Sequence, residues 1–321
     1  MNETQALAKM VPPSQKRKNA WRGGIIQIHI TRACDKACFG CTQGSNLGGK
    51  VGMITLEQFE EAVISLKDFW GVVGIFGGNP VKHPQFAELC TILRKHIPKE
   101  QCGLWCNKLF GHGRVAAQTF NPKVSNLNVH LDREAYNEFK RDWPGSRPFG
   151  LTEDSRHAPV YVAMQDVVDE HGNHIPEEEQ WDKIANCDIN QNWSSMICVF
   201  RNQLRGFFCE IAGAQAMLHQ YETDYPDTGV AIEAGWWKRP MTDFAAQVRL
   251  HCKACGVPLR GYGSLAQDES GIEQVSATHA GIYKPKRPDR EVQLVQLRTD
   301  VSEDALKRIT DYVQNSKVKK D

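Results

Sequence analysis

The chain has 321 residues, room for one large domain with a smaller one or for two ordinary domains, and its 41% hydrophobic and 24% charged residues are ordinary for a globular protein with a core. With 39 basic against 38 acidic residues the net charge is +1, which excludes a global charge field aimed at nucleic acid or a membrane surface. No run approaches the roughly 18 apolar residues of a membrane span, and an odd total of 11 cysteines fits poorly with a fully paired disulfide framework.

Residues 1–21 read as a flexible N-terminal arm. The stretch is polar and lacks the apolar core of a signal peptide, so the expected location is the cytoplasm. In that reducing compartment cysteines serve as metal ligands or core residues rather than as disulfides. "GIIQIHI" (24–30) then reads as a strand running into "RACDKACFGC" (32–41), which packs Cys34, Cys38 and Cys41 into one short polar loop. Thr55 and Gln58 have the spacing of a capping box, and Leu56, Phe59, Ala62, Val63, Leu66 and Phe69 repeat on one helical face.

"GVVGIF" (71–76) is the next strand and "FAELCTILRKH" (86–96) the next helix. "GLWCN" (103–107), "LNVHL" (127–131) and "VYVAM" (160–164) read as further strands. Strands thus alternate with helix-sized connections up to about residue 175, and many are apolar on both faces. That is the pattern of βα units around a parallel sheet of about six strands. Cys34, Gly77, Asn107 and Asp132 each follow a strand's carboxyl end, the edge where parallel α/β folds place chemistry. His130, inside a predicted strand, reads as a core histidine.

The texture changes near residue 180. "SSMICVFRNQLRGFFCE" (194–210) reads as a hairpin turning at Arg201-Asn202-Gln203, followed by a helix from Ile211. "EAGWWKRP" reads as a packed domain edge around Trp236 and Trp237, and "KPKRPDR" (284–290) as a solvated loop. "SEDALKRITDYVQ" (302–314) reads as an amphipathic helix with Glu303 and Asp304 in its first turn. Arg156 and His157 are weaker candidates for substrate contact.

The spacing C-x3-C-x2-C of Cys34, Cys38 and Cys41 resembles the signature of the radical S-adenosylmethionine (SAM) enzymes. "GGNPVKHPQF" (77–86) resembles that family's G-G-E-P motif and follows on the next βα unit, in the expected order. The resemblance covers most of residues 24–175. It implies a partial (β/α)6 TIM-like barrel over 22–180 in which three thiolates hold a [4Fe–4S] cluster and leave one iron open. SAM binds that iron in the family and is cleaved by an electron from the cluster. The 5′-deoxyadenosyl radical so formed takes a hydrogen atom from the substrate. The resemblance further implies SAM contacts from Gly77, Gly78, Asn79 and Pro80, contacts to SAM ribose or substrate from Asn107 and Asp132, and a reductant such as flavodoxin or ferredoxin.

Two positions depart from the family. Gly40, preceded by Phe39, stands where an aromatic residue usually meets the adenine, and Asn79 replaces the usual glutamate. Neither change removes an iron ligand. A structural zinc site, with His29 as fourth ligand, is the competing reading of the loop.

Cys187, Cys209, Cys252 and Cys255 form a second constellation, and Cys198 is a possible substitute for Cys187. It resembles the twitch module, the shortened SPASM domain, which implies a small α+β auxiliary-cluster domain over 181–265 and a C-terminal extension over 266–321. Four thiolates would close a second [4Fe–4S] cluster able to take or relay an electron; structural zinc is the alternative. Cys90, Cys102 and Cys106 read as small hydrophobes.

The expected activity is hydrogen abstraction from a polar small molecule, ending in its dehydrogenation. Redox-neutral epimerisation or isomerisation of a sugar, modified nucleoside or base, and peptide modification, are the enzymatic alternatives. A zinc-stabilised binding protein is the non-enzymatic one. Nucleic acid is not indicated as a partner.

Overall fold

The computed structural model describes residues 1–16, 23–38, 41–47, 52–152, 160–169, 171–259, 273–280 and 292–294. Phe39, Gly40, Arg156, His157, the 284–290 loop and the 302–314 helix lie outside them.

Helix α1 (Glu3–Lys9) opens the chain with a complete capping box between Asn2 and Gln5. It buries Ala6 and Leu7 against the later helix α6 (Glu177–Ala185), with Met10 buried just beyond. The expectation of a flexible arm is therefore corrected over residues 1–16. Alternating polar residues hid three apolar contacts, and the segment is further tied by Glu3 to Arg249 at 3.0 Å and by the Val11 amide to Asn190 at 3.1 Å.

Strand β1 (Ile25–Thr31) is buried throughout, as is β2 (Val72–Gly77), which follows α2 (Leu56–Ser65). Burial of both faces is what a parallel sheet covered by helices requires. The Thr55–Gln58 capping box forms as expected and starts α2. Helix α3 (Phe86–His96) packs on α2 and leads into the short β3 (Cys102–Leu104). Then come α4 (Gly113–Thr119), α5 (Arg133–Asp142), α6, α7 (Asp188–Asn192), the hairpin β4 (Ser194–Phe200) and β5 (Gln203–Phe207), and α8 (Glu210–His219).

The hairpin turns at Arg201 and Asn202, both left-handed (φ 47° and 66°), the geometry of a two-residue primed turn. The architecture is mixed α/β around one five-stranded sheet ordered β3-β2-β1-β4-β5. β1 lies parallel to both β2 and β4; only β5 is antiparallel. Past β3 the parallel ladder continues as single bridges, Trp105 to Asn126 and Asn128 to Phe149. Most of the predicted strand 127–131 is thus a bridged segment rather than a regular strand.

The predicted strand 160–164 does not form. Its residues are buried, but the Ala163 amide is taken by Ser276 Oγ and the Tyr161 carbonyl by the Ser276 amide, so no strand ladder is available. Trp236 and Trp237 are buried as a packed edge, with Trp237 edge-on to Phe69 at 5.2 Å. Strands β6 (Glu273–Val275) and β7 (Val292–Leu294) form a separate parallel pair.

Candidate functional site: two cysteine-lined cavities

β1 delivers the cysteine loop and β2 delivers Gly77-Gly78, and the two junctions are bonded together. The Gly78 amide donates to the Thr31 carbonyl and the Asn79 amide to the Ala33 carbonyl, each at 2.7 Å. A Cβ on Gly78 would meet the Ala33 oxygen at 2.4 Å, and one on Gly77 the Thr31 oxygen at 2.2 Å. Both glycines are demanded by this backbone crossing, an additional reason beside any approach to a ligand. The returning limb of the loop is held by the buried Arg32, which donates to the carbonyls of Gly44 (3.1 Å) and Leu47 (3.3 Å). The Tyr161 hydroxyl donates to the Cys41 carbonyl at 2.8 Å.

Cys34, Cys38 and Cys41, all half-buried, line one cavity of about 340 Å³ together with Gly77, Gly78 and Asn107. That volume lies in the usual small-molecule range of about 300–1,000 Å³. Phe76, Trp105, Phe149 and Trp193 supply aromatic walls; Asn126, Asn128, His130 and Glu210 supply polar ones. His130 is therefore a half-exposed cavity residue in a left-handed turn (φ 47°), not a core histidine. Among the described residues Gln43 Oε1, Ser45 Oγ and Asn107 Oδ1 are buried acceptors without a hydrogen-bond partner, and all three residues line the cavity. Orphaned acceptors of this kind are costly unless a ligand satisfies them. With three thiols beside them, the donor set fits an iron–sulfur cluster carrying a polar ligand.

The other predicted contacts lie elsewhere. Asn79 is fully buried: its Nδ2 donates to the Lys108 carbonyl (3.0 Å) and reaches Asp35 (3.4 Å), while its Oδ1 accepts from Cys106 Sγ (3.2 Å). Pro80 starts a buried 3₁₀ turn. Asp132 is the N-cap of α5, accepting from the Ala135 amide, and pairs with Lys36 of the cysteine loop at 3.1 Å. Partial burial raises its pKa, but the Ala135 amide and Lys36 outweigh this and hold the carboxyl below its ordinary value. None of Asn79, Pro80 and Asp132 is among the described cavity-lining residues. His29 stands buried in β1 with Nε2 unpartnered among the described residues, and burial followed by the Arg32 charge lowers its pKa to about 3.

Glu210 was not foreseen. Its buried carboxylate accepts from Ser194 Oγ, and Gln27, with its amide turned to suit, donates to Glu210 at 2.8 Å and accepts from Trp105 Nε1 at 3.2 Å. Gln43 and Ser45, two and four residues after Cys41, were open to detection by proximity; Trp105, Trp193 and Glu210 were not.

Cys187, Cys209, Cys252 and Cys255 line a second, small cavity of about 20 Å³. Cys187 stands at the N-cap position of α7 and Cys209 at that of α8, neither side chain bonding to its helix, and Cys252 ends a turn of π-helix (Val248–Cys252). Burial pushes the Cys209 thiol up to about 11 and those of Cys252 and Cys255 well above their ordinary value. As free thiols they stay protonated; bound metal would hold them as thiolates. Cys198 is not among the residues around this cavity; its thiol faces the Gly213 carbonyl at 3.8 Å. Among the described residues no three His, Cys, Asp or Glu side chains converge as one metal ion requires. A [4Fe–4S] cube differs in carrying each thiolate on its own iron. Ile189, Ile211 and Val257 line both cavities, so one layer of side chains separates the two cysteine sets.

No family model matches the chain, and no curated protein matches it. Among solved structures it is similar to the crystal structure of BtrN in complex with AdoMet and 2-DOIA. The match has 14% identity and a TM-score of 0.43, over 72% of this chain and 92% of that one. No helix among the described residues is long and apolar enough to cross a membrane.

Proposed function

We propose that this chain is a radical SAM enzyme that oxidises a polar small molecule. The observation that carries the reading is the meeting of Cys34, Cys38 and Cys41 with Gly77, Gly78 and three orphaned buried acceptors on one cavity of ligand size. When bound there, a [4Fe–4S] cluster with one open iron and SAM would supply hydrogen-atom abstraction. The chain's own part is to hold and shield. Arg32 and Tyr161 fix the loop's returning limb, and the Gly78–Thr31 and Asn79–Ala33 bonds fix its start. Phe76, Trp105, Phe149 and Trp193 keep water from the reacting centre, and Asn126, Asn128 and Glu210 offer polar contacts to a substrate.

The parallel series β4, β1, β2, β3 and the bridged segments at Asn126 and Phe149 support a partial (β/α)6 barrel. Oxidation, rather than rearrangement, is favoured by the second cysteine set. It lies behind Ile189, Ile211 and Val257, where a second [4Fe–4S] cluster would take the electron that dehydrogenation releases. A flavodoxin or ferredoxin would supply the reducing electron, and the reading places the enzyme in a reducing compartment.

Anaerobic reconstitution tests it. About eight irons per chain, falling to about four in the Cys34→Ala/Cys38→Ala/Cys41→Ala variant, correspond to two [4Fe–4S] clusters. Reductive SAM cleavage must vanish in that variant. Absence of iron, or of SAM cleavage in the wild type, overturns the proposal.

A further inference from the structure

We infer that Lys16 is the built-in counter-charge of the second cysteine site, and that its ammonium raises the reduction potential of a cluster held there. The inference rests on the proposed iron–sulfur reading of Cys187, Cys209, Cys252 and Cys255.

Lys16 is 0% exposed, which is rare for lysine. Its Nζ donates to three carbonyls: Phe208 at 2.5 Å, Ile189 at 3.3 Å and Ser194 at 3.3 Å. An ammonium has three N–H donors and no acceptor. A neutral amine would turn its lone pair on one of those oxygens. Three carbonyls around one nitrogen therefore call for the charged form. All three acceptors are neutral, and a buried cation without a nearby anion is expensive.

Burial is the largest influence and lowers the Lys16 pKa from its ordinary value; the negative charges that work against it are, in order, Cys209, Cys187, Glu210 and Cys252. Three of those four belong to the second cysteine set. Ile189 and Phe208, two of the carbonyl acceptors in this cradle, also line the small cavity. As buried thiols the cysteines are neutral, and of the four groups Glu210 alone answers Lys16. As metal thiolates they carry the charge that its ammonium answers. Net charge around a cluster is one of the determinants of its potential, and a fixed positive charge makes the reduced form easier to reach.

Lys16→Met keeps the stem and removes the charge. In metal-free protein it takes a donor from the Phe208, Ile189 and Ser194 carbonyls and a cation from Glu210, so the melting midpoint falls whatever the role of the lysine. In protein reconstituted with ferrous iron and sulfide it lowers the midpoint potential of the second cluster. A merely structural lysine would leave that potential where it is.

The measurement uses the full chain in the Cys34→Ala/Cys38→Ala/Cys41→Ala background, so that only the second site gives a signal. Electron paramagnetic resonance follows the reductive titration, and calorimetry follows the chelated protein. The expected result for Lys16→Met is retained iron and at least a tenfold rise in the oxidised-to-reduced ratio at the parent's midpoint, about 59 mV for one electron. A parent with iron whose midpoint is unmoved by Lys16→Met overturns the Lys16 role and leaves Glu210 as its counter-charge. Lys16→Gln, which offers N–H donors to the carbonyls without the charge, is expected to show the same shift, and an unmoved midpoint in it also overturns the role. A parent that takes up zinc or no metal overturns the cluster reading itself.

Discussion

Asn107 Nδ2 donates to both carboxylate oxygens of Asp35 at 3.1 Å, stitching the loop after β3 to the middle of the cysteine loop. Asn79 adds a third bond to the same carboxylate, so the loops after β1, β2 and β3 share one negative charge. A glutamate at position 79 would be a second, fully buried carboxylate facing Asp35 and the Lys108 carbonyl. Asn79→Glu, though it would bring the segment nearer the radical SAM motif it resembles, is expected to cost about 3 kcal/mol or more of stability and, on the proposed function, to lower iron uptake. Chemical denaturation and iron analysis of the reconstituted variant check it. Unchanged stability would show that a second buried carboxylate beside Asp35 is tolerated.

Gly78, with Gly77, is one of two close links between the motif-bearing loops. Gly78→Ala drives a Cβ against the Ala33 backbone, which has no flexible end to give way. The expected cost is about 2–4 kcal/mol, with loss of iron from the first site before loss of the fold. Gly172→Ala is a poor control because its φ is positive (83°), which adds a backbone strain that Gly78 does not have. Gly52→Ala, with open space around it, is the better one. Iron retention on gentle heating separates the two variants.

Cys198 and Cys255 are both buried but differ in surroundings. Cys198→Ala removes a thiol lying against the Gly213 carbonyl, so it is expected to leave iron content unchanged at a cost of about 1 kcal/mol. Cys255→Ala is expected to remove about four irons. Loss of iron from the Cys198 variant would restore that residue as a ligand.

His29 makes the fold sensitive to acid. Burial and Arg32 depress its pKa to about 3, well under the ordinary histidine value. Between that value and about 6.5 the unfolded chain binds a proton that the folded chain refuses. Stability is therefore complete above pH 7 and falls as pH drops through this window, by about 3 kcal/mol per such group between pH 7 and pH 4. His29→Phe is expected to flatten this loss, seen as a smaller drop in melting temperature from pH 7 to pH 5. An identical pH profile in the variant would mean that the ring is not held neutral.

Much of the first site was legible because its determinants are local. Three cysteines within eight positions and a glycine pair ending the next strand need only a strand–loop–helix pattern to be placed together. The hairpin at Arg201-Asn202 was legible for the same reason. Glu210, Trp193 and Lys16 were not, because β1–β4 pairing and the fold-back of residues 1–16 bring them in from remote parts of the chain. Residues 160–164 misled because apolar composition reports burial, not hydrogen bonding. Their backbone partner is Ser276, which no periodicity announces.

The sheet's order also dictates when it can be completed. β1 is flanked on one side by β2, an early neighbour, and on the other by β4, where Ile25 pairs with Ser194. During synthesis the first three strands can associate while one edge of β1 stays bare until the chain beyond residue 200 has emerged. That bare edge, with Ile26, Ile28 and Ile30 on one face, is an invitation to pair with another chain. The folding chain thus passes through an aggregation-prone stage whose length is set by translation, and slowing synthesis between β3 and β4 prolongs it.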